Sequence, residues 1–546
     1  MAEGRFRFTN LVAPYDDPRP PRELLARRLG LPVEEIHQVE ILRKSLDARH
    51  KPHLTQVLSL AFSIEASRLP KGDPHLALHE DPPLPPLPEI PIEGRPLIVG
   101  AGPAGQFAAL GLAARGHRPI VLERGRPIAE RRLDVRRLWL ERVLDPDSNV
   151  QFGEGGAGTF SDGKLTSRNS SWFTRQVLRW FCSLGASEDV VYSHLPHVGT
   201  DGIRRISSRL RHLLEEAGAE FIFSARVERL VVRDGRAGGV LLSDGRFLES
   251  STVILATGHS ARDTAEALHG DGIAMELKPF AMGLRIEHPR ELIDRSQYGA
   301  GCRLDITGSA TYKLAARTGG GQRGCYSFCM CPGGMVVLAA SEEGRLVVNG
   351  MSWTARKMAW SNAALVAQVE EADLRRWAAA WGLPDSPLTG HHVQQSLEER
   401  AYAAGGSSWN APAQRARDFL AGRLSRDLPA ASYRPALSSV RLGGVLPAEI
   451  TASLREALRH FERSLRGFID EGLLIAPETR TSSPLRLPRD PDTRQSVNVA
   501  GLFPVGEGAG YSGGIVSSAA DGLRTALGFA AAGPSLVSEE PSERWR

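Results

Sequence analysis

Long apolar runs are missing from this chain, and none approaches the ~20 residues that a membrane-spanning helix requires. No membrane partner is therefore expected. Cysteine is scarce, with five residues at Cys182, Cys302, Cys325, Cys329 and Cys331. An odd, clustered set argues against a disulfide framework. The opening segment MAEGRFRFTN has no apolar signal core, so the expected compartment is the cytoplasm. Neither sign of charge dominates: +4 over 546 residues is too little to argue for a nucleic-acid partner. Metal-ligand spacing is absent as well. His391 and His392 are adjacent, point in different directions and have no matching third ligand, so no metal site is expected.

Glycine is what the chain does have, in three clusters. The first lies in PLIVGAGPAGQFAALGLAARGHRPIVLERG, which begins at Pro96. A short apolar strand leads into Gly100, Gly102, Pro103, Ala104 and Gly105. A helix and a second strand follow, and the second strand ends on Glu123 and Arg124. This is the order of a dinucleotide-binding βαβ unit. Gly100 permits the turn, Gly102 admits a pyrophosphate to the helix N-terminus, and Gly105 lets the helix lie on the sheet. Glu123 stands where an acid takes a ribose hydroxyl pair, which favours a free 2′-hydroxyl.

The second cluster is QFGEGGAGTFSDGKL, with Gly155, Gly156, Ala157, Gly158 and Thr159 at its centre. So many glycines are costly to order without a reason, and their amides can cradle an anion or pack flat on a ring. The third is GLFPVGEGAGYSGGI, with Gly506, Glu507, Gly513, Gly514 and Ile515. A small-residue helix follows it.

The remaining pattern divides the chain. Residues 1–78 suggest a small α+β domain with a helix at Arg22–Leu29, a buried strand at Leu54–Ile64 and a basic patch around Arg43 to Lys51. Residues 79–95 are a Pro-rich, extended linker. Residues 96–275 carry the βαβ unit, a helix predicted at 201–217 and capped by Thr200 or Asp201, a β-meander over 227–248, and the strand TVILATG. Residues 276–475 read as an inserted α+β unit. Strands are predicted near 280–286, 326–330, 335–339 and 346–348, and helices at 362–381 and 454–471. Residues 476–532 return to the glycine-rich unit, and a disordered tail is expected over 533–546. A second strand–GxGxxG–helix unit is missing.

GAGPAG with Glu123, TVILATG at 252–258 and GLFPVGEGAGYSGG at 501–514 together resemble the glutathione-reductase-like FAD flavoproteins. The stretches HVGTD, SFCMCPGG, NGMS, ETRTSSP and GEGAGYSGGIVSSAADG are closer still to a little-characterised bacterial family of FAD-dependent dehydrogenases. The resemblance implies an α/β fold: an FAD-binding Rossmann-like three-layer domain, an inserted α+β substrate domain and the small N-terminal α+β domain. It implies FAD as cofactor. Val227 would meet the adenine through its backbone, Ala256, Thr257 and Gly258 would bind the cofactor, and Glu507, in the segment that closes the dinucleotide-binding domain, would face the ribityl-phosphate region. Gly155–Thr159 and Gly513–Ile515 would flank the flavin.

Hydride transfer is the cofactor's chemistry, and the protein orients it. The implied activity is an FAD-dependent oxidoreductase acting on a small organic molecule, with NAD(P)H, oxygen or another partner meeting the flavin directly. Alternatives are an RNA-modifying flavoenzyme and a flavin redox sensor or scaffold without turnover. Candidate chemical residues are Cys329 and Cys331, with Cys325 nearby. Cys-x-Cys on a strand shares one face, so core packing is the competing role. The CxxxxC dithiol of glutathione reductase has no counterpart in Gln106–Ala114. Lys164, Lys278, Arg285 and Arg480 are candidates for binding an anionic substrate or stabilising reduced flavin, against ordinary ion pairing.

Overall fold

The computed structural model describes residues 3–70, 72–167, 171–301 and 303–537. Cys302 and residues 538–546 of the expected tail lie outside that set. The fold is mixed α/β, with parallel and antiparallel sheets.

Short strands from distant parts of the chain form one parallel sheet, in the order Leu502–Pro504, Val253–Leu255, Leu97–Val99, Ile120–Leu122, Glu220–Ile222. All four pairings are parallel. Successive side chains of a strand point to opposite faces, and this sheet is covered on both. Ile98, Val121, Ile254 and Phe503 enter the core shared with the helices Pro103–Ala114, Gly199–Glu216 and Ile515–Leu527. Leu97, Val99, Leu122, Val253, Leu255 and Leu502 enter the core shared with the antiparallel meander Val227–Arg233, Arg236–Leu242, Phe247–Glu249. Coverage on both faces explains why these strands read as unbroken apolar runs.

Residues between the two glycine-rich parts build a larger sheet, antiparallel except for the parallel pairing of its last two strands. Its order is Ala315–Thr318, Arg323–Cys331, Trp360–Val369, Phe280–Pro289, Leu473–Glu478, Ala411–Arg415, Leu437–Ser439. One expectation fails here. The predicted helix over 362–381 is a strand up to Val369 and a helix only over Glu371–Trp381. The segment NAALVAQV pairs along one edge with Phe280–Pro289 and along the other with Arg323–Cys331. Burial on both sides overrides its alanine-rich helix propensity. The helix then starts at a capping box made by Glu370 and Asp373. The second predicted helix lies earlier, at Ala448–Ser464. The helix Thr389–Ala404, which carries both adjacent histidines, is not foreseen at all.

The N-terminal segment forms an antiparallel sheet, His37–Asp47, Thr55–Glu65, Glu3–Pro14, Leu76–Leu78, with the helix Pro21–Leu29 against it. It is tied down through Lys44, whose N–H donates to the Tyr192 carbonyl while its own carbonyl accepts from His194 N–H, both at 2.8 Å. The Pro-rich stretch runs beside the last helix, with Ile90 N–H donating to Gly528 O at 3.0 Å. The expected disorder does not begin at 533: Leu536 N–H donates to Ala113 O at 2.9 Å, and Val537 is buried in the helical core.

Among the described residues no helix is long and apolar enough to cross a membrane. The helix expected to be capped by Thr200 or Asp201 starts at Gly199 and has no side-chain cap. Thr200 donates instead to the Thr159 carbonyl, and Asp201 accepts from Thr354 N–H at 2.8 Å.

Candidate functional site

The parallel sheet brings the three glycine clusters to its C-terminal edge, where ligands of open α/β sheets bind. Their proximity is measured by the room each glycine leaves. A Cβ on Gly100, which has φ +107°, would sit 2.4 Å from the Ala256 carbonyl oxygen. One on Gly156, with φ +61°, would sit 3.1 Å from Gly102 Cα. One on Gly506 would meet Ala104 Cβ at 2.8 Å, and one on Gly158 would meet Ile515 at 3.2 Å. Gly155 N–H donates to Ala101 O at 2.9 Å. The first and third clusters are also locked through their helices, since a Cβ on Gly522 would fall 2.0 Å from the Ala104 carbonyl.

These segments enclose one end of a cavity of about 1390 Å³. Gly100, Gly102, Pro103, Ala104 and Glu123 line it, as do Gly156, Ala157 and Gly158. Ala256, Thr257, Gly258, Glu507, Gly513, Gly514 and Ile515 complete that end. Both helices that point here, Pro103–Ala114 and Ile515–Leu527, lack side-chain caps. Pro103 has no N–H, but the amides that follow it and those opening the second helix point this way, and the helix dipoles favour negative charge in front of them. The far end is walled by the large sheet through Phe280, Ala281, Tyr326, Phe328, Cys329 and Glu478.

Other expected residues lie off the wall. Gly105 packs the first helix on its strand, where a Cβ would come 1.9 Å from Gly100 O. Arg124 pairs with Asp147 at 2.7 Å and Asp263 at 2.9 Å and stacks on Phe152. Val227 is buried in the core between sheet and meander. Gly155 and Thr159 are braces: Thr159 is 0% exposed and accepts from Arg131 at 2.6 Å. Lys278 is off the wall, its Nζ 3.4 Å from Ser483 O, and burial lowers its pKa. Arg285 is buried beneath the wall, 3.3 Å from Glu478.

Arg480 does reach the wall, but its donors are already committed. Nε and Nη2 bind Glu398 at 3.0 and 2.7 Å, and Nη1 binds Ser260 and Ser341. Arg262 holds the same carboxylate at 2.9 Å from the other side. Burial pushes Glu398 up, yet the two guanidiniums hold it well below the usual carboxylate range. Arg480 is thus a structural tie rather than a substrate ligand.

Two functional residues were not foreseen. Arg131 is 0% exposed and holds the middle glycine cluster from within. Its guanidinium donates to the carbonyls of Asn149, Val150, Glu154 and Gly156 and to Thr159 Oγ1, at 2.6–3.0 Å. The only trace in the sequence was one arginine among many in an Arg-rich helix. Glu478 lines the cavity inside ETRTSSP. Burial pushes it up to about 7, against the opposing pull of Arg285, so near neutral pH it can hold or release a proton at the wall.

Glu123 differs in detail from its expected role. Its carboxylate accepts from the backbone amides of Ala101, Gly125 and Gly153 at 2.8–3.0 Å. It lines the cavity and also pins two glycine clusters together. Glu507 faces the His259 ring at 3.3 Å.

A family model described as FAD-dependent protein, C-terminal domain-like, matches residues 279–481. A domain of unknown function matches residues 9–63. An uncharacterized protein of Clostridium beijerinckii is 38% identical over 513 residues, which is 92% of this chain and 94% of that protein. Protein FixC of Salmonella typhi is 33% identical over 223 residues, 38% of this chain and 47% of FixC. Glycine oxidase of Bacillus cereus is 10% identical over 80% of this chain and 96% of its own, with a TM-score of 0.34. The cavity fits an FAD: Gly258 and Gly513 present bare backbone to open space, and among the described residues two buried polar atoms on its wall, Gln151 Oε1 and His259 Nε2, have no hydrogen-bond partner.

Proposed function

The chain belongs to the family of the Clostridium beijerinckii protein, its cofactor is FAD, and from that premise we propose that it is an oxidoreductase acting on a small organic molecule. The observation that carries this is the single cavity shared by the glycine clusters and the large sheet. FAD, when bound, supplies hydride exchange. The glycine end would hold the dinucleotide, with Gly102 and the two open helix N-termini at the pyrophosphate. Gly156–Gly158 and Gly513–Ile515 would flank the flavin, and Glu123 would meet the adenosine ribose. This would be the glutathione-reductase-like arrangement, with the FAD unit split into about 96–275 and 476–532 around an inserted substrate unit.

The substrate would occupy the end walled by Phe280, Tyr326 and Phe328. Glu478, whose hold on a proton is strengthened by burial, would take or give a proton at that wall. Electrons would arrive from NAD(P)H or another donor, or leave to oxygen or another acceptor, at the same cavity.

Anaerobic titration of the yellow protein with panels of organic reductants, including amines, hydroxy acids and nicotinamides, tests the reading. At least one class should bleach the flavin band at a rate that falls in Glu478→Gln. A flavin that only dithionite bleaches, and that no oxidant in a matching panel restores, would instead favour a sensor without turnover.

A further inference from the structure

The large sheet holds a second chemical device at the cavity wall. The strand Arg323–Cys331 loses its register against Trp360–Val369 between Phe328 and Cys331. Cys329 sits at that irregularity with φ +44°, a left-handed conformation rare for cysteine. Two cations hold the distortion: Arg285 Nη2 donates to the Cys329 carbonyl at 2.7 Å, and Lys164 Nζ donates to the Met330 carbonyl. In a regular strand, residues two apart are separated by about 6.6 Å, at the upper edge of what a disulfide spans. The Cys331 thiol donates to the Cys329 carbonyl at 3.4 Å. Cys329 faces the cavity, whereas Cys331 is fully buried behind it.

We propose that Cys329 and Cys331 form a dithiol–disulfide couple that reduces small anionic disulfides entering the cavity. Cys329 is the attacking sulfur and Cys331 the resolving one. The Cys329 thiolate attacks one sulfur of the substrate, forming a mixed disulfide and expelling the first thiolate. Cys331, losing its proton, attacks Cys329 Sγ, closes the intramolecular disulfide and expels the second thiolate. The substrate gains two electrons and the cysteine pair loses them. The neighbouring Cys331 thiol, followed by the charges of Lys164 and Arg285, favours the thiolate of Cys329 over that of Cys331, against the opposing effect of burial. The choice of an anionic substrate rests on the cavity wall, which carries Lys313 and, beside Cys329, Lys164. The carboxylates on the same wall are already held, Asp162 by Arg356 and Glu478 by Arg285. The inference stands on this geometry and goes beyond the cofactor reading.

The probe is 5,5′-dithiobis(2-nitrobenzoate), an anionic aromatic disulfide, added to the holoprotein carrying Cys182→Ser and Cys302→Ser. The expected result is rapid release of two thionitrobenzoate equivalents. The protein should end two hydrogens lighter, and peptide mapping should show a Cys329–Cys331 link. Adding Cys331→Ser should halve the release and leave the nitrobenzoate adduct on Cys329. Adding Cys329→Ser should abolish the fast phase, with retained flavin absorbance confirming the fold. A stable adduct on Cys329 with Cys331 intact, or reaction at Cys325 alone, would overturn the proposal. Neither outcome depends on whether the flavin turns over, so this test and the reductant titration fail independently.

Discussion

Replacing Arg131 with methionine will release bound FAD and lower stability by about 3–5 kcal/mol. The guanidinium is the centre of the loop Asn149–Thr159, giving its hydrogen bonds to four carbonyls and one hydroxyl. Methionine fills a similar volume but donates nothing. Several buried acceptors would lose their partner together, and each orphaned group costs roughly 1–3 kcal/mol before relaxation. Relief of arginine desolvation, which draws Arg131 down to about 9, returns part of that cost. The loop then loses the shape that sets Gly156 against Gly102. Lysine should rescue poorly, because one ammonium cannot match a planar fork that serves both sides of a loop. Urea unfolding and the flavin absorbance of purified protein check this. Full flavin content in Arg131→Met would show that the loop orders without its central donor.

The second large effect lies at the clamp between the large sheet and the dinucleotide half. Glu398→Gln will destabilise the protein by about 3–5 kcal/mol at neutral pH, because it leaves two buried guanidiniums short of their shared counter-charge. Arg262 comes from the segment after TVILATG, Arg480 follows the last strand of the large sheet, and Glu398, on the helix Thr389–Ala404, sits between them. Glu342 remains as a partner, 2.9 Å from Arg262 and 3.5 Å from Arg480, but it is more exposed. The pH dependence has a definite sign. The folded pKa of Glu398 is depressed below its ordinary value of 4.5. Its contribution is therefore fully present above that value and is lost as pH falls towards the folded one. The gap between wild type and Glu398→Gln should be constant from neutral pH down to about 5 and should narrow in more acid solution. A gap independent of pH down to acid unfolding would mean the charge of Glu398 is not what holds the clamp.

How much of this was legible follows from the range of each interaction. The glycine clusters were readable because each needs a local backbone geometry that only glycine supplies, as Gly100 and Gly156 show with their positive φ and missing Cβ room. The short parallel strands were readable as apolar runs because both faces are covered. NAALVAQV was misread because its local preference is helical and only two distant strands make it extended. Arg131, Glu398 and Glu478 gave no local signal, since their roles depend on partners brought together by the fold. Thr159 was legible as part of the site, but not as a buried brace. Cys329 and Cys331 were legible as a pair, while the bulge that turns one sulfur to the cavity and the other behind it was not.

The central claim is that the glycine-lined end of the cavity holds the FAD. The direct measurement is the amount of FAD released on denaturing equal quantities of wild type and Gly156→Val, each first shown to be folded by circular dichroism. The account predicts one FAD per wild-type chain and almost none in the variant, whose new side chain would press on Gly102. Equal FAD in both proteins, or a wild type that neither carries nor takes up FAD, would contradict it.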